Sequence, residues 1–369
     1  MSPSPTQQLS DLGVSIWLDD LSRDRLTSGS LAALIASHNV VGVTSNPTIF
    51  AGALANSDAY REPIARLHHS GASAEDAVFD IMVRDVQDAC DVLAPVFERT
   101  GGLDGRVSLE VSPLLASDTQ GTIDQAVDLW GLVDRPNLMI KIPATKQGLP
   151  AITEVIGRGI SVNVTLIFSL DRYDAVIDAY WAGIRRAVEA GHDIRRIFSV
   201  ASFFVSRVDT AIDARLDAIG SEAAHALRSR AAIANARLAY ELFEKRHSAP
   251  EVADLLAHGA HPQRPLWAST GVKDPALPDA LYVTELAVAD TVNTMPEKTL
   301  LATGDSAVVA GDRVRGFYDD ARHVMSGLAE LGIDIDEFTD ALEADGVEKF
   351  VQSWRDLLGT VEEVMSESA

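Results

Sequence analysis

Residues 160–168 read Ile-Ser-Val-Asn-Val-Thr-Leu-Ile-Phe, and after Ser169 the chain continues Leu-Asp-Arg-Tyr-Asp-Ala-Val-Ile-Asp-Ala-Tyr-Trp-Ala-Gly-Ile-Arg-Arg-Ala-Val to residue 188. In the first part Ile160, Val162, Val164 and Leu166 alternate with Ser161, Asn163 and Thr165, the period of two of a β-strand. In the second, Tyr173, Val176, Ile177, Tyr180, Ile184 and Val188 recur every three or four residues, one stripe of a helix. A strand that feeds a helix is half of a βαβ unit, and the half-unit recurs. Short β-branched runs at residues 14–19, 40–44, 107–111, 138–143, 160–168, 197–202, 265–270 and 289–294 are separated by stretches with helical spacing. Ser73 with Asp76 reads as an N-cap for the stripe Val78, Met82, Val86, Ala89 and Leu93. Val205, Val208, Ile212, Leu216 and Ile219 form another stripe after the sixth run.

Strand and helix alternating over roughly 300 residues imply a parallel sheet, either a closed eight-stranded barrel or an open doubly wound sheet. No Pro/Gly/Ser linker divides the 369 residues, 47% of which are hydrophobic. The organisation expected is α/β: a short N-terminal tail (1–13), a single (β/α)8 TIM barrel (14–303) and a helical C-terminal extension (304–369) packed on it. The extension ends in a strong stripe of Val347, Phe350, Val351, Trp354, Leu357, Leu358 and Val361.

The formal charge of −23 repels nucleic acid and anionic membrane surfaces, so neither is an expected partner. Cys90 is the only cysteine, which excludes an intrachain disulfide and fits a reducing cytoplasm. The first residues lack the basic and apolar regions of a secretory signal. The uncharged stretch 26–57 is broken by Thr27, Ser28, His38, Asn39, Ser45, Asn46 and Pro47, so no membrane span is expected. Helix stripes serve core and interface alike, which leaves monomer and homodimer both open.

Splitting each strand by parity separates a helix-facing set from a set facing the barrel interior. The inward sets are Ser15, Trp17 and Asp19; Thr44 and Asn46; Ser108 and Glu110; Met139 and Lys141; and Ser161, Asn163 and Thr165. Five strands thus send polar groups inward near their C-terminal ends, the face where barrel enzymes collect catalytic groups. Lys141 is the most telling, because the chain has six lysines against twenty-five arginines and this one lies between Ile140 and Ile142. A buried ammonium needs an acid beside it or loses charge. It is either a structural lysine paired with Glu110 or Asp19, or a nucleophile that attacks a carbonyl to form a Schiff base. Gly101, Gly102 and Gly105 form a Gly-Gly-Leu-Asp-Gly turn before the third strand, and His258 and His261 read as a solvated loop, so no metal site is expected.

Six stretches together resemble the transaldolase family of class I, Schiff-base barrel enzymes, in its long bacterial form. They are Trp-Leu-Asp-Asp (17–20), Gly-Val-Thr-Ser-Asn-Pro-Thr-Ile-Phe (42–50), Ser-Leu-Glu-Val-Ser (108–112), Ile-Lys-Ile-Pro-Ala-Thr-Lys-Gln-Gly (140–148), residues 160–168, and Ser-Phe-Phe-Val-Ser-Arg-Val-Asp (202–209). They stand in the family's order and cover most of residues 14 to 300. The resemblance implies that Lys141 is the Schiff-base lysine and that Asp19 moves the proton of the hydroxyl at the cleaved bond. It implies that Glu110, through a water held also by Thr165, assists imine formation and hydrolysis. Thr44, Asn46, Asn163, Ser202, Phe204 and Ser269 match substrate-binding positions, and Arg207 matches a phosphate-binding arginine. The family often has an arginine two residues after the seventh-strand serine; here Ser269, Thr270 and Gly271 are followed by Lys273, which is expected to replace it.

The resemblance further implies transfer of a dihydroxyacetone unit from sedoheptulose 7-phosphate to glyceraldehyde 3-phosphate, in the non-oxidative pentose phosphate pathway, with sugar phosphates as partners and no cofactor. Two other readings share these residues: a class I aldolase that releases free dihydroxyacetone or cleaves another ketose phosphate, and a sugar-phosphate-binding or scaffolding barrel without catalysis.

Overall fold

The β-branched runs form eight strands, each buried along its whole length or nearly so, as a sheet covered by helices outside and side chains inside requires. They are β1 (Val14–Leu18), β2 (Val40–Val43), β3 (Arg106–Glu110), β4 (Leu138–Pro143), β5 (Val162–Ile167), β6 (Ser199–Phe204), β7 (Arg264–Ala268) and β8 (Thr291–Met295). In the computed structural model, which describes residues 3–367, all pairs are parallel and the order β1 to β8 closes on itself, β8 against β1. This is the (β/α)8 barrel, and the open-sheet alternative falls away.

Local departures from the expected bounds have local causes. β6 begins at Ser199, later than the apolar run, because residues 194–196 take a 3-10 turn closed by Ile197 N to Ile194 O, 3.3 Å. β5 starts after Ser161, whose hydroxyl accepts the Phe198 amide at 3.1 Å. Near the other end of β5, Leu166 adopts φ +61° and the register with β6 shifts between Val164 and Ile167. Ser73 and Asp76 form the full capping box, and the helix they start, Ala74–Arg99, buries Val78, Met82, Val86, Ala89, Cys90 and Leu93. Val188, counted in its helix's stripe, is exposed.

The N-terminal end of the barrel is closed by one polar knot. The Gly-Gly-Leu-Asp-Gly turn takes positive φ at all three glycines, and at Gly105 a Cβ would stand 2.2 Å from the Phe97 amide nitrogen. That turn delivers Asp104 to the barrel floor. Its carboxylate accepts from Ser15 Oγ (2.7 Å), Trp17 Nε1 (3.3 Å) and Arg264 Nη2 (3.1 Å), while Arg264 also donates to Ser15 Oγ and Leu103 O. The Trp17 indole fills the space beside Gly42, where a Cβ would lie 2.5 Å from the ring.

Outside the barrel, residues 5–11 of the stretch expected as a tail form a helix, Pro5–Asp11, with Leu9 fully buried and Thr6 bonded to Asn39. Residues 1 and 2, and 368 and 369 of the extension, lie outside the described residues. After β8 the chain is helical: Glu297–Ser306, Tyr318–Glu330 and Ile335–Glu367. The last helix buries Phe350, Trp354, Leu357 and Val361 and lies over the C-terminal end of the barrel, against the helix Pro47–Ala55 and the end of β5. Among the described residues no helix is long and apolar enough to cross a membrane.

Asp104→Ala strands a buried guanidinium, a loss of about 3–5 kcal/mol for a broken buried pair. Chemical denaturation should show that loss while the KM of the folded fraction stays unchanged, because the knot and the C-terminal face are at opposite ends of the barrel.

Candidate active site

Adjacent strands in register put the expected polar residues side by side. Glu110 pairs with Lys141 across β3 and β4, and Lys141 with Asn163 across β4 and β5. Lys141 is 4% exposed. Its Nζ lies 3.0 Å from Glu110 Oε2 and donates to Ser45 O at 3.1 Å. Asp19 follows β1 directly and accepts a 2.6 Å hydrogen bond from Thr44 Oγ1, which is also 2.6 Å from Thr294 Oγ1. Burial pushes the carboxyls of both Asp19 and Glu110 above the usual carboxylate range, with the nearby Lys141 ammonium pulling the other way. Glu110 Oε1 and Thr165 Oγ1 are buried without a hydrogen-bond partner.

A second chain of bonds orients the next wall. Ser202 Oγ donates to Asn163 Oδ1 (2.7 Å), and Asn163 Nδ2 donates to Ser108 Oγ (3.0 Å). Asn46 caps the helix Pro47–Ala55 by accepting the Ile49 amide at 3.0 Å, which leaves its Nδ2 as a donor toward the cleft.

The far end of the cleft is cationic. Arg207 sits in the first turn of the helix Ser206–Ile219, which has no side-chain cap. Its guanidinium lies 5.3 Å from the Phe204 ring centre, and Nη1 is buried without a partner. Burial lowers its pKa, against the attraction of Asp345 and Asp19. Ser269, at φ +55°, shares a 2.9 Å hydrogen bond with Ser206, and Lys273 on the same loop is exposed. A phosphate here would meet the arginine, the lysine and the amides of a helix N-terminus.

These groups surround a cleft of about 310 Å³. Asp19, Thr44, Asn46, Lys141, Thr165, Ser202, Phe204, Arg207, Ser269 and Lys273 all line it. Glu110 and Asn163 do not; they lie beneath, each touching a residue that does. Thr294 and Phe350 line it as well and were missed. Thr294 is opposite Trp17 in the β1–β8 register, so parity along β8 carried a signal for it. Phe350 comes from the last helix, and nothing local to residue 350 marks it. A roomier cavity of about 490 Å³ opens at the N-terminal ends of the strands, where Arg195 pairs with Asp193. His258 is bonded to Asp254 O, and His261 stacks on Phe198 with centroids 4.0 Å apart.

A buried lysine between two carboxylates of raised pKa, with hydroxyl and amide groups on the walls and cations at one end, suits imine chemistry on a phosphorylated ketone. The family model described as transaldolase/fructose-6-phosphate aldolase matches residues 16–361. Proteins named transaldolase from Frankia alni, Thermobifida fusca and Kocuria rhizophila are 57%, 59% and 58% identical. The alignments cover 99%, 97% and 97% of this chain and 98%, 97% and 97% of theirs. The fold, the cleft and these likenesses agree, and the chain belongs to the transaldolase/fructose-6-phosphate aldolase family.

Proposed function

We propose that the protein transfers a dihydroxyacetone unit between sugar phosphates through a Schiff base on Lys141. Sedoheptulose 7-phosphate is the donor and glyceraldehyde 3-phosphate the acceptor, giving erythrose 4-phosphate and fructose 6-phosphate. The observation that carries this reading is the buried Lys141, 3.0 Å from Glu110, at the floor of a cleft whose other end holds Arg207 and Lys273.

The amine of Lys141 adds to the ketone carbon, and the carbinolamine loses water to give a protonated imine. Glu110 Oε1 and Thr165 Oγ1, both without a protein partner, have the free capacity to hold the water that shuttles these protons. Asp19, fixed by Thr44, then takes the proton of the hydroxyl one carbon beyond the α-carbon. The carbon–carbon bond between them breaks, the aldose phosphate leaves, and the electron pair moves to the nitrogen as an enamine. The enamine attacks the acceptor aldehyde, Asp19 returns the proton to the new hydroxyl, and hydrolysis frees Lys141. The protonated imine is itself the electron sink, so the chemistry calls for neither metal nor organic cofactor. Asn46, Asn163 and Ser202 orient the donor hydroxyls, Phe204 and Ser269 shape the wall, and Arg207 with Lys273 holds the phosphate. Lys273 neutralises charge without the bidentate fork of an arginine.

The lone free cysteine supports a cytoplasmic setting, with monomer and homodimer equally compatible. The division into a barrel of residues 14–303 and an extension of 304–369 goes with this reading, the extension adding Phe350 to the site.

Mixing sedoheptulose 7-phosphate and glyceraldehyde 3-phosphate should form erythrose 4-phosphate and fructose 6-phosphate in equal amounts, and Lys141→Ala should abolish the reaction. Rapid release of free dihydroxyacetone from the donor alone would make the protein an aldolase instead, and binding without turnover would make it a binding module.

Asp19 must be ionised to take the hydroxyl proton, and its pKa is raised. Activity should therefore fall as pH is lowered through a limb above about pH 4, the ordinary aspartate value. Asp19→Asn should cost about 10²–10⁴-fold in kcat and remove that limb. A limb at the ordinary value, or one that survives in Asp19→Asn, would contradict the assignment.

A further inference from the structure

Nearly all residues that line the cleft come from strand ends or the loops and helix starts that follow them; Phe350 does not. It projects from the last helix, its ring centre 5.6 Å from Lys141 Nζ, and it is 3% exposed. The groups below Lys141 are polar, and the face above it is an aromatic ring. Three contacts hold that ring in place. Ser353 bonds Thr48 at 2.8 Å, Trp354 packs on Phe79 with centroids 5.1 Å apart, and the helix backbone packs against Leu166 at Gly346. A Cβ on Gly346 would lie 3.0 Å from Leu166 and 3.7 Å from Arg207 Nη1, so the backbone of the last helix rests against the end of β5 and beside the cationic end of the cleft.

Resting on the Schiff-base reading of Lys141, we infer that Phe350 is a specificity-determining residue that keeps the three-carbon intermediate for an aldehyde acceptor instead of water. Once the first aldose phosphate leaves, the enamine on Lys141 has two fates. Its nucleophilic carbon attacks an aldehyde, or it takes a proton from water and becomes an imine again. In the second case a further water, entering from the side of the cleft that Phe350 covers, adds its oxygen to the imine carbon and gives its spare proton to the hydroxide left by the first, and the hydroxyl proton of the carbinolamine passes to the nitrogen. The carbon–nitrogen bond then breaks, and dihydroxyacetone and the free amine separate, with one water consumed. An apolar ring over the nitrogen denies water that approach from above, while the water needed to release the finished product is served from the Glu110 and Thr165 side below. The ring face also favours the cationic imine through its quadrupole.

The test measures two rates on the same enzyme: transfer to glyceraldehyde 3-phosphate, and release of free dihydroxyacetone from sedoheptulose 7-phosphate without acceptor. Phe350→Ala should raise the ratio of release to transfer by about tenfold as water gains access. Phe350→Leu, which keeps an apolar side chain of similar reach, should restore most of the wild-type ratio. It also serves as the variant to read, with a shift of about twofold expected, if the alanine protein does not fold. A ratio that stays at the wild-type value in a folded variant, both rates falling together, overturns the inference and leaves Phe350 a packing residue. Lys141→Ala should abolish transfer and release alike; if release survives in it, the Schiff-base reading itself fails.

Discussion

A lysine ammonium inside a barrel strand is the constraint around which this molecule is arranged. Lys141 points into the barrel and is almost wholly shielded from solvent, so its charge has to be met by Glu110 on the next strand and by the carbonyl of Ser45. Glu110 in turn is buried, and burial and the ammonium pull its pKa in opposite directions. A buried pair of this kind is a weak source of stability and a strong one of reactivity, since either partner left alone bears the desolvation cost. In the proposed imine on Lys141 the charge would stay at the same nitrogen and the surroundings need not reorganise, which is the preorganisation that electrostatic catalysis requires.

The rest of the barrel divides its work by end. At the N-terminal end Asp104, Arg264, Ser15 and Trp17 satisfy one another's hydrogen bonds and fill the barrel floor. At the C-terminal end the polar groups are only partly satisfied. Glu110 Oε1, Thr165 Oγ1 and Arg207 Nη1 have no protein partner. Unmet capacity is costly in a core and useful in a cleft, where a substrate or a water supplies the missing bond. The positive φ of Leu166 and Ser269 falls at this same end, where the chain turns from strand to loop around the site.

Much of this was legible in the sequence because β-strands write their faces in alternation. Parity alone placed Lys141, Glu110, Asn163 and Thr165 on the inner face, and the register confirms Glu110 and Asn163 as neighbours of Lys141. Asp19 and Asn46 lie one and three residues past the ends of β1 and β2, where alternation no longer binds, yet hydrogen bonds donated by the Thr44 hydroxyl and the Ile49 amide hold them in the cleft. Ile197 and Phe198 are apolar and read as strand, but the 3-10 turn at residues 194–196 delays the start of β6 to Ser199. Phe350 was read correctly as part of a buried stripe but not as part of the site. A stripe says that a helix face is covered, and only the long return of the chain over the barrel decides what covers it.

The central claim is that Lys141 forms the covalent intermediate. The direct measurement is to incubate the protein with fructose 6-phosphate, reduce with borohydride, and locate the adduct by peptide mass spectrometry, with Lys141→Ala as the control. This account predicts a three-carbon, dihydroxyacetone-derived adduct on Lys141 and none in the control. An adduct on another lysine, or none at all on folded protein that still binds the sugar phosphate, would contradict it.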